Sequence, residues 1–157
     1  MSTTPIRVEL PGKAPLVLSE LVLDFTGTLS RNGALLPGVA ERLGEIAKRM
    51  RITVLTADTF GRAAQELARL PVQLRLIETG IEKARFVQKL GPERVVAIGN
   101  GRNDVEMLRA SAVGIAVIGP EGAAGELLKV AHVVVRDIHD ALDLILNPLR
   151  LKATLRD

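Results

Sequence analysis

The residues with the most chemical content stand where apolar runs end. Asp24 closes the run Leu21-Val22-Leu23 and opens the turn Phe25-Thr26-Gly27-Thr28. A buried strand that ends in an acid places that acid at the sheet edge where open α/β folds bind ligands. A carboxylate there can act as a nucleophile and form a covalent aspartyl-phosphate. On this segment alone, Asp24 reads as readily as a cap for the following turn. Thr56-Ala57-Asp58 follows a second apolar run and offers a hydroxyl able to donate to a phosphoryl oxygen. Lys83 lies early in a helical segment, where its ammonium could offset the charge of a phosphorylated aspartate. Gly99-Asn100-Gly101-Arg102-Asn103-Asp104 is a glycine turn rich in oxygen-bearing side chains. Asp24, Asn100 and Asp104 could supply the hard oxygen ligands that Mg²⁺ prefers.

Each feature has a plainer reading. Thr56 could be a turn or N-cap hydroxyl and Asp58 the N-cap of the next helix. Lys83 alone reads as a solvated helix residue. Gly99-x-Gly101 after a strand is similar to the start of a dinucleotide fingerprint. There, however, Asp104 takes the place of the third glycine, and it would repel a pyrophosphate without an intervening cation. The order along the chain (acid, hydroxyl, lysine, glycine-flanked acid) is far more specific than any one member.

The elements that must position these groups alternate between strand and helix. Ile6 to Leu10, the turn Pro11-Gly12-Lys13 and Leu16 to Leu18 read as a hairpin feeding the first core strand, Glu20 to Phe25. A loop from Gly27 to Gly38 follows. Val39, Leu43, Ile46, Ala47 and Met50 then share one helical face. Ile52 to Thr56 is a strand, and Gly61 to Leu70 a helix with Ala63, Ala64, Leu67 and Ala68 inward. Further strands are expected at Gln73 to Ile77, Arg94 to Ile98, Ala112 to Ile118 and Ala131 to Val135. Further helices are expected at Ile81 to Leu90, Asp104 to Ala110, Glu121 to Lys129 and Ile138 to Leu146. Continuously apolar strands alternating with helices imply a parallel sheet covered on both faces. The expected fold is one doubly wound, Rossmann-like α/β domain, with an N-terminal hairpin (about 5–19), a core (about 20–146) and a C-terminal tail (147–157).

Composition narrows the chemistry. The 157 residues suggest one domain with a sizeable core, and 47% hydrophobic with 25% charged residues is ordinary for a globular protein. The absence of cysteine excludes disulfides and thiolate-bound metals. With two histidines, a Ser-His-Asp triad or an imidazole metal site has little to draw on. His132, in an apolar run, reads as a core or strand-edge residue. The charge of +3 is modest, and with no Trp or Tyr and three Phe the platforms that stack bases are nearly absent. Nucleic-acid binding therefore rests only on a basic tail near Arg150, Lys152 and Arg156, which reads as solvated. Met1 to Pro5 lacks the pattern of a signal peptide, and no apolar run approaches a membrane span. The chain reads as cytoplasmic.

The ordered segments carry a resemblance. Asp24-Phe25-Thr26-Gly27-Thr28-Leu29 is similar to the Asp-Lys-Thr-Gly-Thr-Leu segment of P-type ATPases, and Leu55-Thr56-Ala57-Asp58 to their Leu-Thr-Gly-Asp. Lys83-Ala84, with Val87 and Leu90, matches the surroundings of their lysine motif. Gly99 to Asp104, with Val113-Gly114-Ile115-Ala116 beyond, resembles Gly-Asp-Gly-x-Asn-Asp and the stretch that follows it. From about residue 20 to 146 the chain resembles the haloacid dehalogenase (HAD) superfamily, and within it the phosphorylation domain of the pumps. The resemblance implies a Mg²⁺-dependent phosphohydrolase. Asp24 would be the nucleophile, and the metal would be held by Asp24, the Thr26 carbonyl, Asn100 and Asp104. Thr56, Ala57, Lys83 and Asn103 would hold the phosphoryl group.

Two departures from the pattern qualify this. Most HAD phosphatases carry a second Asp two positions after the nucleophile as general acid and base, and this chain has Thr26. Such help is typically worth about 10²–10⁴-fold, so turnover of the aspartyl-phosphate should be slow. Asn100 also replaces the usual Asp, which should weaken metal binding. Between Asp24 and Thr56 the sequence has no room for a cap or a nucleotide-binding insert. The expected protein is thus capless, with an open site that a second copy could close, acting on a phosphorylated substrate. The alternatives are a catalytically weak regulatory or phosphate-binding module on the same fold, and a P-type-ATPase-like ATP hydrolase.

Overall fold

The computed structural model describes residues 4–58 and 61–157. In chain order the strands are β1 (Ile6–Val8), β2 (Leu16–Leu18), β3 (Glu20–Asp24), β4 (Ser30–Arg31), β5 (Ala34–Leu35), β6 (Arg51–Thr56), β7 (Gln73–Leu76), β8 (Val95–Gly99), β9 (Val113–Val117) and β10 (Val133–Val135). The helices are α1 (Val39–Ile46), α2 (Arg62–Leu67), α3 (Gly80–Leu90), α4 (Val105–Ala110), α5 (Gly125–Val130), α6 (Ile138–Leu146) and α7 (Pro148–Leu155).

Six strands form one sheet in the order β10-β9-β8-β3-β6-β7, every pair parallel. The expected doubly wound α/β architecture is what the chain adopts. Its cause is visible in β3, where all five residues are buried. Leu21 and Leu23 enter one apolar core, which includes Leu43 of α1 and Leu142 of α6. Val22 enters a second, with Val87 of α3, Leu108 of α4 and Leu127 of α5. A strand wet on one face would alternate; this one cannot. After β3 the chain winds outward through β6 and β7, then returns to the other side of β3 with β8. The crevice between the C-terminal ends of β3 and β8 is therefore the topological switch point.

Several expectations are corrected. The segment 27–38 is not a plain loop, because β4 and β5 pair as a hairpin within it. The signal was Asn32-Gly33, whose left-handed φ values of 51° and 83° make the tight turn. The first hairpin forms as expected but stays a separate two-stranded sheet beside the main one. The helix starting at Val39 stops at Ile46, and Met50 reaches the core from the turn beyond it. In α2 only Ala63 and Leu67 are buried, while Ala64 and Ala68 face solvent. The helix expected from Glu121 begins at Gly125, since Gly119 and Gly122 pair first as a β-bridge. The tail is also structured: Pro148 starts α7, and fully buried Leu151 joins the core beside Ile6 and Val8. No helix among the described residues is long and apolar enough to cross a membrane. The leader reading concerned Met1 to Pro5, of which residues 1–3 lie outside the described residues.

Candidate active site

Asp24 is the last residue of β3 and is 6% exposed. The turn after it folds back through Thr28 and Leu29, whose N–H groups donate to the Phe25 carbonyl. That return places the Thr28 hydroxyl between two groups, 3.1 Å from Asp24 Oδ2 and 3.1 Å from Asn100 Oδ1. Gly27 permits it with a φ of 75°; a Cβ there would lie 2.5 Å from Asn100 Nδ2.

Lys83 reaches the same carboxylate from the far side. Thr79 caps α3 by accepting the Glu82 N–H at 3.2 Å, and it donates back to Glu82 Oε1 at 2.9 Å, so the first turn is well anchored. Lys83 then points inward, only 1% exposed, with Nζ 3.0 Å from Asp24 Oδ1 and 2.8 Å from Asp104 Oδ1. Read alone as a solvated helix residue, it is instead one of the most buried side chains in the protein. Gly80 lets α3 approach closely enough, since a Cβ at this position would fall 2.9 Å from the Asn103 carbonyl oxygen. Gly80→Ala should push α3 off that turn and draw Lys83 from the carboxylates. The expected cost is about 1–3 kcal/mol in a denaturant titration, with a parallel loss of any activity.

Asp104 is fully buried beneath the glycine turn. Its Oδ2 accepts the N–H groups of Asn100 and Gly101 at 3.1 and 3.0 Å, while Oδ1 takes Lys83. Asp104 thus orders the turn and the lysine, with both oxygens engaged. Asn100 Nδ2 donates to the Gly122 carbonyl at 3.1 Å, which turns its Oδ1 toward Thr28 and Asp24.

These groups surround a cavity of about 500 Å³ lined by Asp24, Thr26, Thr56, Ala57, Asp58, Asn100, Gly101, Asn103 and Glu121. The residues proposed from the sequence for the phosphoryl and metal site lie together here, with Lys83 and Asp104 behind the cavity wall. Asp58 is not the N-cap residue of α2, which is Gly61, but its Oδ2 accepts the N–H of Ala63 in the first turn of that helix at 2.5 Å. His132 is a strand-edge residue as read: its Nδ1 accepts the Gly114 N–H at 2.8 Å. Sequence reasoning missed Thr28 and Glu121. Glu121 stands in Gly119-Pro120-Glu121-Gly122 just after β9, an acid in a strand-end turn like Asp24.

The electrostatics are unbalanced. Two carboxylates, Asp24 and Asp104, share the single ammonium of Lys83 in a buried setting. Burial, then repulsion from Asp104, pushes the Asp24 carboxyl from 3.8 up to about 7, against the opposing pull of Lys83 and Thr28. Burial alone would lower Lys83, but the two carboxylates overcome it and hold its pKa above the ordinary value. Among the described residues no group of three or more His, Cys, Asp or Glu side chains is placed to hold a metal. The available donors near Asp24 are hard oxygens, carboxylate and amide, and the net charge of the buried trio favours an added cation. That donor set fits a cation such as Mg²⁺, which keeps water in its shell and needs few protein ligands.

The family of haloacid dehalogenase-like hydrolases matches this chain over residues 39–141. The chain belongs to that family. The matched span of the HAD-like hydrolase contains Thr56, Lys83 and the 99–104 turn, while Asp24 to Thr28 precede it. An uncharacterized protein of Methanocaldococcus jannaschii is 47% identical over 81 residues, covering 49% of this chain and 87% of its own. A solved 3-deoxy-D-manno-octulosonate 8-phosphate phosphatase of Moraxella catarrhalis, in complex with a magnesium ion, a phosphate ion and a KDO molecule, superposes with a TM-score of 0.66 at 17% identity. The match covers 83% of this chain and 86% of that one. A zinc-transporting PIB-type ATPase superposes with a TM-score of 0.64 at 24% identity, covering 76% of this chain and 20% of the pump. At these identities the likeness to both structures is one of fold.

Proposed function

We propose that this HAD-like hydrolase is a Mg²⁺-dependent phosphohydrolase that works through a phosphorylated Asp24. The observation that carries the reading is the Asp24 carboxylate at the base of an open cavity, 3.0 Å from the Lys83 ammonium. In the first step an Asp24 oxygen attacks phosphorus in line, and the leaving oxygen departs with its bonding pair. Thr56 and Asn103, on the cavity wall, donate to the equatorial oxygens as charge spreads over them. Lys83 opposes the rise of the Asp24 pKa, favouring the ionised nucleophile, and then balances the aspartyl-phosphate. Mg²⁺, held by Asp24, the Thr26 carbonyl and Asn100, would neutralise phosphoryl charge when bound. Asp104 would act behind that site, fixing Lys83 and the Asn100 backbone.

Thr26 bears on substrate choice. With no acid there to protonate the leaving oxygen, good leaving groups such as aryl or acyl phosphates are favoured. Release of phosphate from Asp24 should be the slow step. Thr26 and Asn100 also support a second reading, a phosphate-binding module with negligible turnover. A capless site closed by a second copy, and a cytoplasmic setting, accompany the first reading. Hydrolysis of an aryl phosphate with Mg²⁺ separates the two: turnover lost in Asp24→Asn supports the enzyme, and none in the wild type supports the module.

Metal binding should depend on pH with a defined sign. With its carboxyl raised to about 7, Asp24 holds a proton that a cation must displace at lower pH. Mg²⁺ affinity should level off above that value and fall by about tenfold per pH unit below it. Calorimetric titration across this range checks it; a flat profile would remove Asp24 from the ligand set.

A further inference from the structure

We propose that Glu121 is the general base that hydrolyses the aspartyl-phosphate, supplying what position 26 lacks; this rests on the Asp24 phosphoenzyme proposed above. Water must approach phosphorus from the side opposite Asp24. Asp24 is buried at the cavity base, so that side faces the open mouth, where exposed Glu121 lines the wall. Glu121 Oε2 accepts the Asn32 N–H at 3.2 Å, which ties the carboxylate to the tip of the β4–β5 hairpin. Among the described residues Oε1 has no hydrogen-bond partner.

Its loop is fastened to the site itself. The Gly122 carbonyl accepts Asn100 Nδ2 at 3.1 Å, and the Ala124 N–H donates to the Asn100 carbonyl at 2.8 Å. Asp58, the other carboxylate on the cavity wall, is committed to the start of α2. In the step, Glu121 takes a proton from water as the water oxygen bonds to phosphorus. The bond from phosphorus to the Asp24 oxygen breaks, its electron pair returning to the carboxylate. Inorganic phosphate leaves, and Glu121 yields its proton to solvent.

The test is rapid-quench kinetics of an aryl phosphate with Mg²⁺, trapping the phosphoenzyme in acid, for wild type, Glu121→Gln and Asp58→Asn. In Glu121→Gln the initial burst of aryl alcohol should persist at wild-type amplitude. Hydrolysis should slow by about 10²-fold and the trapped phosphoenzyme should accumulate. Unchanged hydrolysis in Glu121→Gln overturns the assignment, and so does a stall in Asp58→Asn alone. A wild type that forms no phosphoenzyme overturns the earlier reading and this one together.

Discussion

Asp24→Asn is expected to abolish phosphoenzyme formation while making the metal-free protein more stable. The loss of activity follows from the chemistry, because an amide is a poor nucleophile toward phosphorus. The gain in stability follows from charge. In the wild type, Asp24 and Asp104 both face Lys83 from buried positions. The substitution leaves one carboxylate for one ammonium. Because the folded pKa of Asp24 is raised, its contribution is most favourable below 3.8 and is lost as pH rises through about 7. Above that value the amide variant should be more stable than the wild type with Asp24 ionised, by about 1–3 kcal/mol. Urea titrations at acid and alkaline pH, without divalent metal, should show the advantage only on the alkaline side. Saturating Mg²⁺ should narrow it by stabilising the wild type. A variant less stable than wild type at alkaline pH would contradict this charge balance.

Lys83→Met should have the opposite effect on the fold and the same effect on catalysis. Methionine fills the volume but leaves two buried carboxylates without their shared cation. Breaking a buried pair in this way typically costs about 3–5 kcal/mol. Protonating a carboxylate relieves part of that cost, so the deficit should shrink as pH falls. Activity should drop by about 10²–10³-fold through loss of charge stabilisation at the phosphoryl group. Adding Asp24→Asn to Lys83→Met should recover part of the stability and none of the activity. A double-mutant cycle in urea checks this, since residues in one charge network do not add independently. Additive effects of the two substitutions would mean that Lys83 and Asp24 are not energetically coupled.

Several elements were legible because their causes are local. α6 spans Ile138–Leu146 as its apolar spacing implies, with Ile138, Ala141, Leu142 and Ile145 buried. The core strands were readable because burial on both faces leaves continuous apolar runs. Elements that depend on a distant partner were not legible. Ala64 and Ala68 fit an apolar helical face yet meet solvent, since α2 is short and buries only Ala63 and Leu67. α7 looked like a solvated basic tail, because one buried leucine, Leu151, is too weak a pattern to reveal its docking beside β1.

The site divides in the same way. From sequence alone came the candidate residue types, their order along the chain and, for Asp24, Thr56 and the 99–104 turn, their place at strand ends, with Lys83 early in a helix. These follow from local rules, because a strand must stop at a turn and the turn exposes what stands there. Tertiary structure decided which groups touch. It buried Lys83 between two carboxylates, turned Asp104 inward to order the glycine turn, and set Thr28 between Asp24 and Asn100. It also brought Glu121 to the mouth of the cavity. Such pairings join residues as far apart as 28 and 100, or 32 and 121. They arise from the strand order, which sets β3 beside β8 and β8 beside β9, and no spacing along the chain encodes that order.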